Sequence, residues 1–472
     1  MGINLRDKNK TNKHSFLFLL LVLGAQTMIV ELAIPRLLAP AFGNTLFCWT
    51  AIIGVVMVAL TVGYQLGGLA TTRKNVKQLI LILATLSATW VLGLSLAGEK
   101  ITSLLSGFGL MFGPLVAATV MAVLPAGFSA AVVPLVVETR TASSGKAAGE
   151  CYAWSTVGSI IGVLLTGYVL LPQLGIKGAM IVGASAVFFA LFLNGGKYVL
   201  VIAALFILLN FIFSPRANSS VLLDRNNGYH RIRIVELPGD LKMRTLYLDS
   251  TVEGGVKMGD VEPILKYQKR IGEIAQTIPG FSSAFFLGGG SFSMPRYLKS
   301  VYPNVQMDVA EIDPDVEKAA RTFLELDRKI HVMIGDGRQV LRSQNASYDL
   351  IVNDAFHGVR EIPFHLITRE FNHLVKTKLS TRGIYAINVI GYGFQSELVS
   401  GVTRTLKEDF QYVTFFSAAV KSVKNIWILA SESPLSLGDK AMEPGTKGKL
   451  LTDNCAPVDF LIAKDLARIS HR

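Results

Sequence analysis

Long apolar runs follow one another through the first 214 residues of this chain, separated by short polar loops. A helix that crosses a membrane needs about 20 apolar residues, and seven runs approach or exceed that length. They are residues 16–34, 47–70, 79–97, 111–137, 152–171, 179–193 and 198–213. The pattern predicts a multi-pass α-helical membrane domain over residues 1–214, with about seven helices.

The loops between the runs leave the orientation of this domain open. Basic loops mark the cytoplasmic side of a membrane, and Lys and Arg cluster in the N-terminal segment, in residues 71–77 and in residues 140–146. Seven crossings from a cytoplasmic N-terminus would place the second half of the chain outside. The stretch 101–137 is long and contains three prolines. It leaves room for an eighth helix, which would place the second half inside but move Arg140 and Lys146 outside.

The pattern of the chain changes after residue 214. A linker and a small β-element are predicted over residues 215–282, where residues 230–236 and 244–248 alternate between apolar and polar positions. From residue 283 onward, short apolar strands alternate with helical segments. That rhythm is typical of a doubly wound, mostly parallel sheet with crossover helices. An α/β Rossmann-like domain is therefore predicted over residues 283–472.

Composition supports this division into two halves. Hydrophobic residues make up 51% of the 472 residues and charged residues only 17%, whereas about a quarter of a soluble domain is charged. The first 214 residues hold thirteen Lys or Arg and five Asp or Glu, so the shortage of charge is concentrated there. Disorder and a single soluble domain are excluded. No cysteine pair has metal-ligand spacing and no His set converges with acids, so no metal site is predicted.

Glycines and acids stand at the ends of four successive predicted strands. Ligands of such sheets bind outside the carboxyl ends of the strands. Glycines let the backbone approach a ligand closely, and an acid about 20 residues later is placed to bind a ribose diol. The segments are Gly288-Gly289-Gly290-Ser291, Glu311-Ile312-Asp313, Gly335-Asp336-Gly337 and Asn353-Asp354-Ala355-Phe356-His357. Together they predict one site for a nucleoside with a reactive substituent.

Residues 286–354 resemble the core of spermidine synthase, a polyamine aminopropyltransferase with a class I methyltransferase-like fold. Three further segments resemble the bacterial proteins in which such a domain is fused to a transmembrane region. They are residues 31–43 (ELAIPRLLAPAFG), 154–162 (WSTVGSIIG) and 451–459 (LTDNCAPVD). The resemblance covers nearly the whole chain. It implies a multi-pass membrane domain joined to a spermidine synthase-like Rossmann domain with a small N-terminal β-element.

The resemblance implies a binding site for the sulfonium nucleoside that donates the transferred group. Glu311 would hold the ribose hydroxyls, and Asp336 would accept a hydrogen bond from the adenine amino group. The glycines of the first turn would pass beneath the thioether end of the nucleoside. The full candidate set for donor binding is Gly288, Gly289, Gly290, Ser291, Glu311, Asp313, Asp336 and Gly337.

Asp354 falls on the position of the family's catalytic acid, where it would take a proton from the attacking amine or orient it. A sulfonium carbon is already activated, so its displacement depends mainly on positioning and on a neutral amine. A carboxylate beside the amine accepts the proton during attack. The resemblance assigns binding of the amine substrate to Tyr229, His230, Glu253, Tyr267 and Gln268.

Two positions depart from the family pattern. Ser291 stands where the synthases carry an Asp that helps hold the aminopropyl ammonium, and His357 stands where they carry a second Asp that helps bind the amine. Each lost charge-assisted contact is worth about 1–3 kcal/mol, so a standard diamine is expected to bind more weakly. Intact S-adenosylmethionine becomes a candidate donor beside its decarboxylated form. His357 is kept as a second catalytic candidate, with a cap on the loop before Ile362 as the alternative.

Three functions stay open at this point. The first is a membrane-bound aminopropyltransferase-like enzyme that transfers a group from S-adenosylmethionine, decarboxylated or intact, to an amine related to the polyamines. The second is an S-adenosylmethionine-dependent methyltransferase or another enzyme that consumes S-adenosylmethionine. The third is a polyamine transporter or exporter with a regulatory nucleoside-binding domain.

The expected partners are a small-molecule amine and the lipid bilayer, and the resemblance is compatible with a homodimer. No aromatic-interleaved basic stripe is present, so nucleic acid is not an expected partner. The predicted location is the cell membrane, which the chain crosses several times. The nucleoside donor is cytosolic, so the second half is expected in the cytoplasm.

Overall fold

The computed structural model forms two compact units, residues 1–216 with 226–228, and residues 217–225 with 229–472. The structure describes residues 5–140, 143–196, 201, 204–205, 208, 220–227, 229–239, 242–249, 251–355, 362–392, 396–416, 423–435, 441–442 and 448–470. The first unit is helical and apolar, as the first half of the sequence predicts. The second combines strands and helices.

Six long helices build the described part of the first unit. They are α1 (Leu5–Phe42), α2 (Leu46–Leu69), α3 (Val76–Leu105), α4 (Gly109–Glu138), α5 (Ser144–Leu165) and α6 (Leu171–Leu193). A 3₁₀ turn and Gly109, with a φ of +75°, separate α3 from α4. One π-helical turn, Thr166–Leu170, separates α5 from α6. Gly175, with a φ of +67°, interrupts α6 near its start. Four segments of these described helices are long and apolar enough to cross a membrane: Ser15–Phe42, Leu46–Thr72, Val76–Glu138 and Ser144–Leu193.

Six of the seven predicted runs fall on α1 to α6 and the short turns that adjoin them. The seventh, residues 198–213, falls almost wholly outside the described residues. The eighth helix considered for residues 101–137 is wrong. The first residues of that stretch complete α3, and α4 then continues through Pro114, Pro125 and Pro134.

The continuity of α4 has a local cause at Pro125. Proline has no backbone N–H, so the carbonyl one turn earlier loses its helical donor. That carbonyl, of Met121, accepts a hydrogen bond from Trp90 Nε1 at 3.1 Å. Ser87 Oγ also donates to the Pro125 carbonyl at 3.0 Å. Two side chains of α3 therefore satisfy backbone oxygens of α4, and the helix runs on without a break.

The second unit begins with a four-stranded sheet in the order β1 to β4. Its strands are β1 (Val221–Asn226), β2 (Arg231–Glu236), β3 (Met243–Leu248) and β4 (Thr251–Lys257). The alternation in β2 buries Ile232 and Ile234 and leaves the residues between them partly exposed. The predicted small β-element is therefore present. Helix α7 (Lys266–Gln276) follows it.

The rest of the second unit is an eight-stranded mixed sheet in the order β12-β10-β11-β9-β8-β5-β6-β7. The strands are β5 (Ser283–Leu287), β6 (Gln306–Glu311), β7 (His331–Ile334), β8 (Tyr348–Asn353), β9 (Leu379–Tyr392), β10 (Tyr412–Phe416), β11 (Val423–Ser431) and β12 (Ala441–Met442). Strands β7, β6, β5, β8 and β9 pair in parallel, and the other pairings are antiparallel. The fold is the Rossmann-like class that the sequence predicts.

Six helices accompany these strands. They are α8 (Ser293–Val301), α9 (Pro314–Phe323), α10 (Gly337–Ser343), α11 (Arg369–Lys378), α12 (Glu397–Leu406) and α13 (Val458–Ser470). The strand order reverses at β5, because β6 pairs on one side of it and β8 on the other. A crevice is expected beyond the carboxyl end of a strand at such a switch point. The predicted site segments follow β5, β6, β7 and β8, so the fold places all four at this edge.

Candidate active site at the carboxyl ends of the parallel strands

The glycine turn after β5 is built so tightly that side chains do not fit. Gly288 has a φ of +90°, and a Cβ there would lie 2.9 Å from the Asp354 carbonyl oxygen. A Cβ on Gly289 would lie 2.3 Å from the ring of Phe292. Gly290 has a φ of +50°, in the left-handed region that glycine adopts at little cost. The turn therefore keeps bare backbone at the switch point.

Glu311 fixes the glycine turn from the end of β6. One carboxylate oxygen accepts the Gly289 N–H at 2.8 Å and the Gly290 N–H at 3.4 Å. The other accepts the Asp313 N–H at 2.9 Å. Burial raises the pKa of Glu311, and the three N–H donors oppose that rise. A buried acid held by backbone amides keeps a set orientation, as binding of a diol requires.

The other two acids of the predicted donor site begin helices. The Asp313 side chain is fully buried and accepts the Asp315 N–H at 2.9 Å, which caps α9. Asp336 caps α10, with Oδ1 accepting the Gln339 N–H at 3.0 Å. Gly337 packs closely on β5, since a Cβ there would lie 2.8 Å from a methyl of Leu287. The helix cap accounts for an Asp at 313, and the close packing on Leu287 accounts for a Gly at 337.

Asp354 lies just past β8 with hydrogen-bond donors on both oxygens. Asn388 Nδ2 donates to Oδ1 at 2.7 Å, and the Tyr267 hydroxyl donates to Oδ2 at 3.4 Å. Burial raises the pKa of Asp354 to about 7, while both donors act in the opposite direction. A carboxyl with a pKa near 7 both gives and takes a proton readily at neutral pH.

Tyr267 of α7 contacts this acid, and its neighbour Gln268 contacts Tyr267. Gln268 Nε2 lies 3.3 Å from the Tyr267 hydroxyl and 3.3 Å from the Glu253 carbonyl oxygen. Burial, and then the charges of Asp354 and Glu253, raise the pKa of Tyr267 well above its ordinary value. The phenol therefore keeps its proton and acts as a donor to Asp354. Trp427 Nε1 donates to the Tyr267 carbonyl at 3.0 Å and anchors this residue from β11.

Ser291 is buried against strand β4. Its hydroxyl lies 3.4 Å from the Glu253 carbonyl oxygen and 2.7 Å from the Ser293 hydroxyl. A Cβ on Gly254 would lie only 2.2 Å from Ser291 Oγ. The position where the resemblance implies an acid therefore holds a serine whose hydroxyl is bonded to β4 and to Ser293.

The remaining candidates are placed as follows. Tyr229 is half exposed, and His230 Nδ1 lies 3.5 Å from Asp249 Oδ2 at the turn between β3 and β4. His357 lies outside the described residues. Within the part of the chain that the structure describes, no group of three or more His, Cys, Asp or Glu is arranged to hold a metal ion.

Sequence reasoning missed Asn388 and Trp427. Both lie in apolar strands of the sheet and are 1% exposed. Asn388 also donates to Asn425 Oδ1 at 2.9 Å, which fixes its amide. A lone amide inside the apolar run of β9 is the signal that marks it, because a buried amide needs polar partners.

Residues 266–436 match the model of the spermine/spermidine synthase domain. Thermospermine synthase ACAULIS5 of Arabidopsis thaliana is 26% identical over 189 residues, which are 37% of this chain and 56% of that protein. A polyamine aminopropyltransferase of Mycobacterium tuberculosis is 25% identical over 406 residues, 76% of this chain and 74% of that protein. The crystal structure of a probable spermidine synthase from Corynebacterium glutamicum aligns with a TM-score of 0.44 at 18% identity, over 52% of this chain and 99% of that one. The chain thus spans little more than half the length of the Arabidopsis relative.

Proposed function

We propose that this chain, whose residues 266–436 match the spermine/spermidine synthase domain and whose homologues are polyamine aminopropyltransferases, is itself an aminopropyltransferase. It would move an aminopropyl group from decarboxylated S-adenosylmethionine to an amine. The observation that carries the proposal is Asp354, a carboxyl with a pKa of about 7, held by Asn388 and Tyr267 beside the glycine turn. The turn and Glu311 supply the adjoining nucleoside site.

The transfer step uses Asp354 as the proton acceptor. The nitrogen lone pair of the amine attacks the aminopropyl carbon bonded to the sulfonium sulfur. A C–N bond forms, the C–S bond breaks, and its electron pair stays on sulfur as a neutral thioether. The new ammonium gives one proton to the Asp354 carboxylate. Because the leaving group is uncharged, the protein need not stabilise it, and positioning supplies most of the acceleration.

The donor end of the site is assigned to the acids of β6 and β7. Glu311 would accept from the ribose hydroxyls, for which its buried position beside the turn is suited. Asp336 would accept from the amino group of the base. The glycine turn offers no side chain to obstruct the sulfonium end.

The acceptor end differs from the family pattern, and we assign its negative charge to Glu253. Its strand, β4, is joined to the turn by Ser291 and to α7 by Gln268, both through the Glu253 carbonyl. Its charge also acts on Tyr267. A carboxylate here would hold an ammonium near Asp354 in place of the acid that position 291 lacks.

Ser291 also keeps intact S-adenosylmethionine as a second candidate donor. An Asp at 291 would repel the carboxylate of the intact molecule, whereas a serine bonded to backbone does not. With the intact donor, the same site supports transfer of a methyl or aminocarboxypropyl group.

Product analysis tests the function directly. Purified protein is incubated with labelled S-adenosylmethionine, intact or decarboxylated, and a panel of amines. An aminopropylated amine from the decarboxylated donor supports the proposal. A product formed from the intact donor alone would favour the second candidate. No product with either donor, together with altered polyamine flux across vesicles, would favour a transporter.

We place the chain in the cell membrane with its second half in the cytoplasm, where the donor is made. Cys455 is exposed, whereas Cys48 and Cys151 are buried. Labelling of Cys455 therefore shows on which side of the membrane the second half lies. A membrane-impermeant maleimide is expected to label Cys455 only after the cells are permeabilised. A Cys455→Ser variant is the control for background labelling. Labelling in intact cells would contradict the placement.

The acid limb of the pH profile is expected near pH 7. Asp354 must be ionised to accept a proton, so kcat/KM rises with pH as the carboxyl passes its pKa of about 7. Asn388 lowers that pKa through its hydrogen bond, so Asn388→Leu should move the limb to higher pH. Tyr267→Phe removes a longer bond and should move it less. Limbs that stay in place in both variants would contradict this role of Asp354.

A further inference from the structure

The segment 451–459, one of those that resemble the fused proteins, forms a tight turn with Asp453 at its tip. Thr452 and Cys455 bond each other through their backbones at 3.2 and 2.9 Å. The Asp453 carboxylate accepts from Arg338 at 2.8 Å on each oxygen and from Thr368 Oγ1 at 2.7 Å. Its N–H donates to Glu370 at 2.9 Å. The turn therefore joins the starts of α10 and α11, two helices far from it in sequence.

Arg338, in the first turn of α10, bonds both Asp453 and the backbone of His365. Beyond its paired bonds to Asp453, it donates from Nη1 to the His365 carbonyl oxygen at 3.2 Å. The side chain is 13% exposed. Arg338 lowers the pKa of Asp453, so the pair stays ionised at neutral pH. A fork with two bonds to a carboxylate has a fixed geometry, and it holds the backbone of His365 in place.

His365 in turn contacts the acid assigned to the base. Its Nε2 lies 2.8 Å from Asp336 Oδ2, while Asp336 Oδ1 is used by the helix cap. With both oxygens engaged, rotation of the carboxylate is blocked. Each carboxylate oxygen has two lone pairs, so Oδ2 can accept one more hydrogen bond. The contact with His365 fixes the direction from which that bond can come.

We propose that Arg338 and Asp453 are positioning residues for base recognition, acting through His365 on the Asp336 carboxylate. The inference rests on the proposed function, in which Asp336 accepts from the amino group of the base. The C-terminal turn is thereby a part of the donor site although none of its residues needs to touch the donor. It makes the selectivity for adenine depend on a segment 115 residues downstream of Arg338.

Binding of nucleosides by calorimetry tests this without turnover. The probes are 5′-methylthioadenosine, the nucleoside that aminopropyl transfer leaves, its inosine counterpart, and its 2′-deoxy counterpart. The inosine base presents an oxygen in place of the amino group, so the native protein should bind it about tenfold or more weakly. Arg338→Met should reduce that preference several-fold. It should leave the preference for the ribose over the deoxyribose unchanged, since Glu311 makes that distinction.

Matched variants separate positioning from general damage. Arg321 also bonds one carboxylate, of Glu317, and backbone carbonyls of the same domain, so Arg321→Met is the control. Asp453→Asn keeps the shape of the turn and provides a milder change if Arg338→Met fails to fold. If Arg338 acts through His365, the double variant Arg338→Met with His365→Phe should discriminate no worse than His365→Phe alone.

The outcomes are distinct. If the native protein binds and prefers the adenine probe, and folded Arg338→Met and Asp453→Asn prefer it equally, the positioning role is wrong and the proposed function stands. If the native protein binds none of the probes, the proposed function fails and the inference fails with it. A loss of ribose preference together with base preference would indicate a disrupted fold and contradict a specific effect on the base.

Discussion

Asp354→Asn is expected to abolish group transfer while nucleoside binding persists. Asparagine has the same shape and can still accept from Asn388 and interact with Tyr267, but it cannot take a proton at neutral pH. General base catalysis contributes typically about 10²- to 10⁴-fold, so kcat should fall by at least about 100-fold. The measurement pairs single-turnover kinetics with calorimetry of 5′-methylthioadenosine. The nucleoside affinity should change by less than about threefold, because the substitution keeps the shape of the side chain and Asp354 is assigned to the amine and not to the nucleoside.

The matched control is Asp349→Asn at the opposite end of the same strand. Asp349 accepts from Ser282 and Ser380, so it too is a hydrogen-bonded acid of β8. Its loss should lower thermal stability without changing kcat. Full activity in Asp354→Asn would remove this residue from the chemistry. Loss of nucleoside binding in the same variant would instead show that Asp354 belongs to the donor site.

The position of the site follows from features that are local in sequence. Apolar runs long enough to cross a membrane predict the helices of the first unit. In the second unit, parallel strands place their carboxyl ends at one edge of the sheet, so four strand-end segments are enough to locate the site. The glycine turn and Glu311 lie about 20 residues apart and meet because β5 and β6 are neighbours. These parts need no knowledge of tertiary packing.

The partners of the reactive groups were beyond such reasoning. Tyr267 and Asp354 are 87 residues apart, and Arg338 and Asp453 are 115 apart. Such contacts depend on how helices pack on the sheet, which periodicity does not encode. The direction in which a side chain points is a second property that the sequence does not show. The sequence shows a serine at 291, but only the structure shows that its hydroxyl is turned toward β4. The prolines of α4 mislead for the same reason, because the donors that satisfy its carbonyls come from another helix.

Glu311→Gln should be the most damaging change to donor binding. Both Glu311 oxygens accept backbone N–H groups, from Gly289 and Asp313. An amide has one oxygen and one NH₂, so one of those N–H groups would face a donor and stay unsatisfied. A buried unsatisfied group costs about 1–3 kcal/mol, and the glycine turn would shift. The proposed bond from the ribose hydroxyls to residue 311 would weaken as well, because a charged acceptor becomes neutral. Affinity for 5′-methylthioadenosine should fall about 100-fold, since each 1.4 kcal/mol is tenfold.

The ribose preference separates a direct role of Glu311 from a purely structural one. The native protein should prefer 5′-methylthioadenosine over its 2′-deoxy counterpart, and Glu311→Gln should lose that preference as well as affinity. Glu317→Gln on α9 is the control, because it makes the same chemical change on a residue paired with Arg321. A variant that binds weakly but still prefers the ribose would restrict Glu311 to holding the turn. In that case another group of the site would bind the ribose hydroxyls, because the Gly288, Gly289 and Gly290 N–H groups are already bonded to the Ala310 carbonyl and to Glu311.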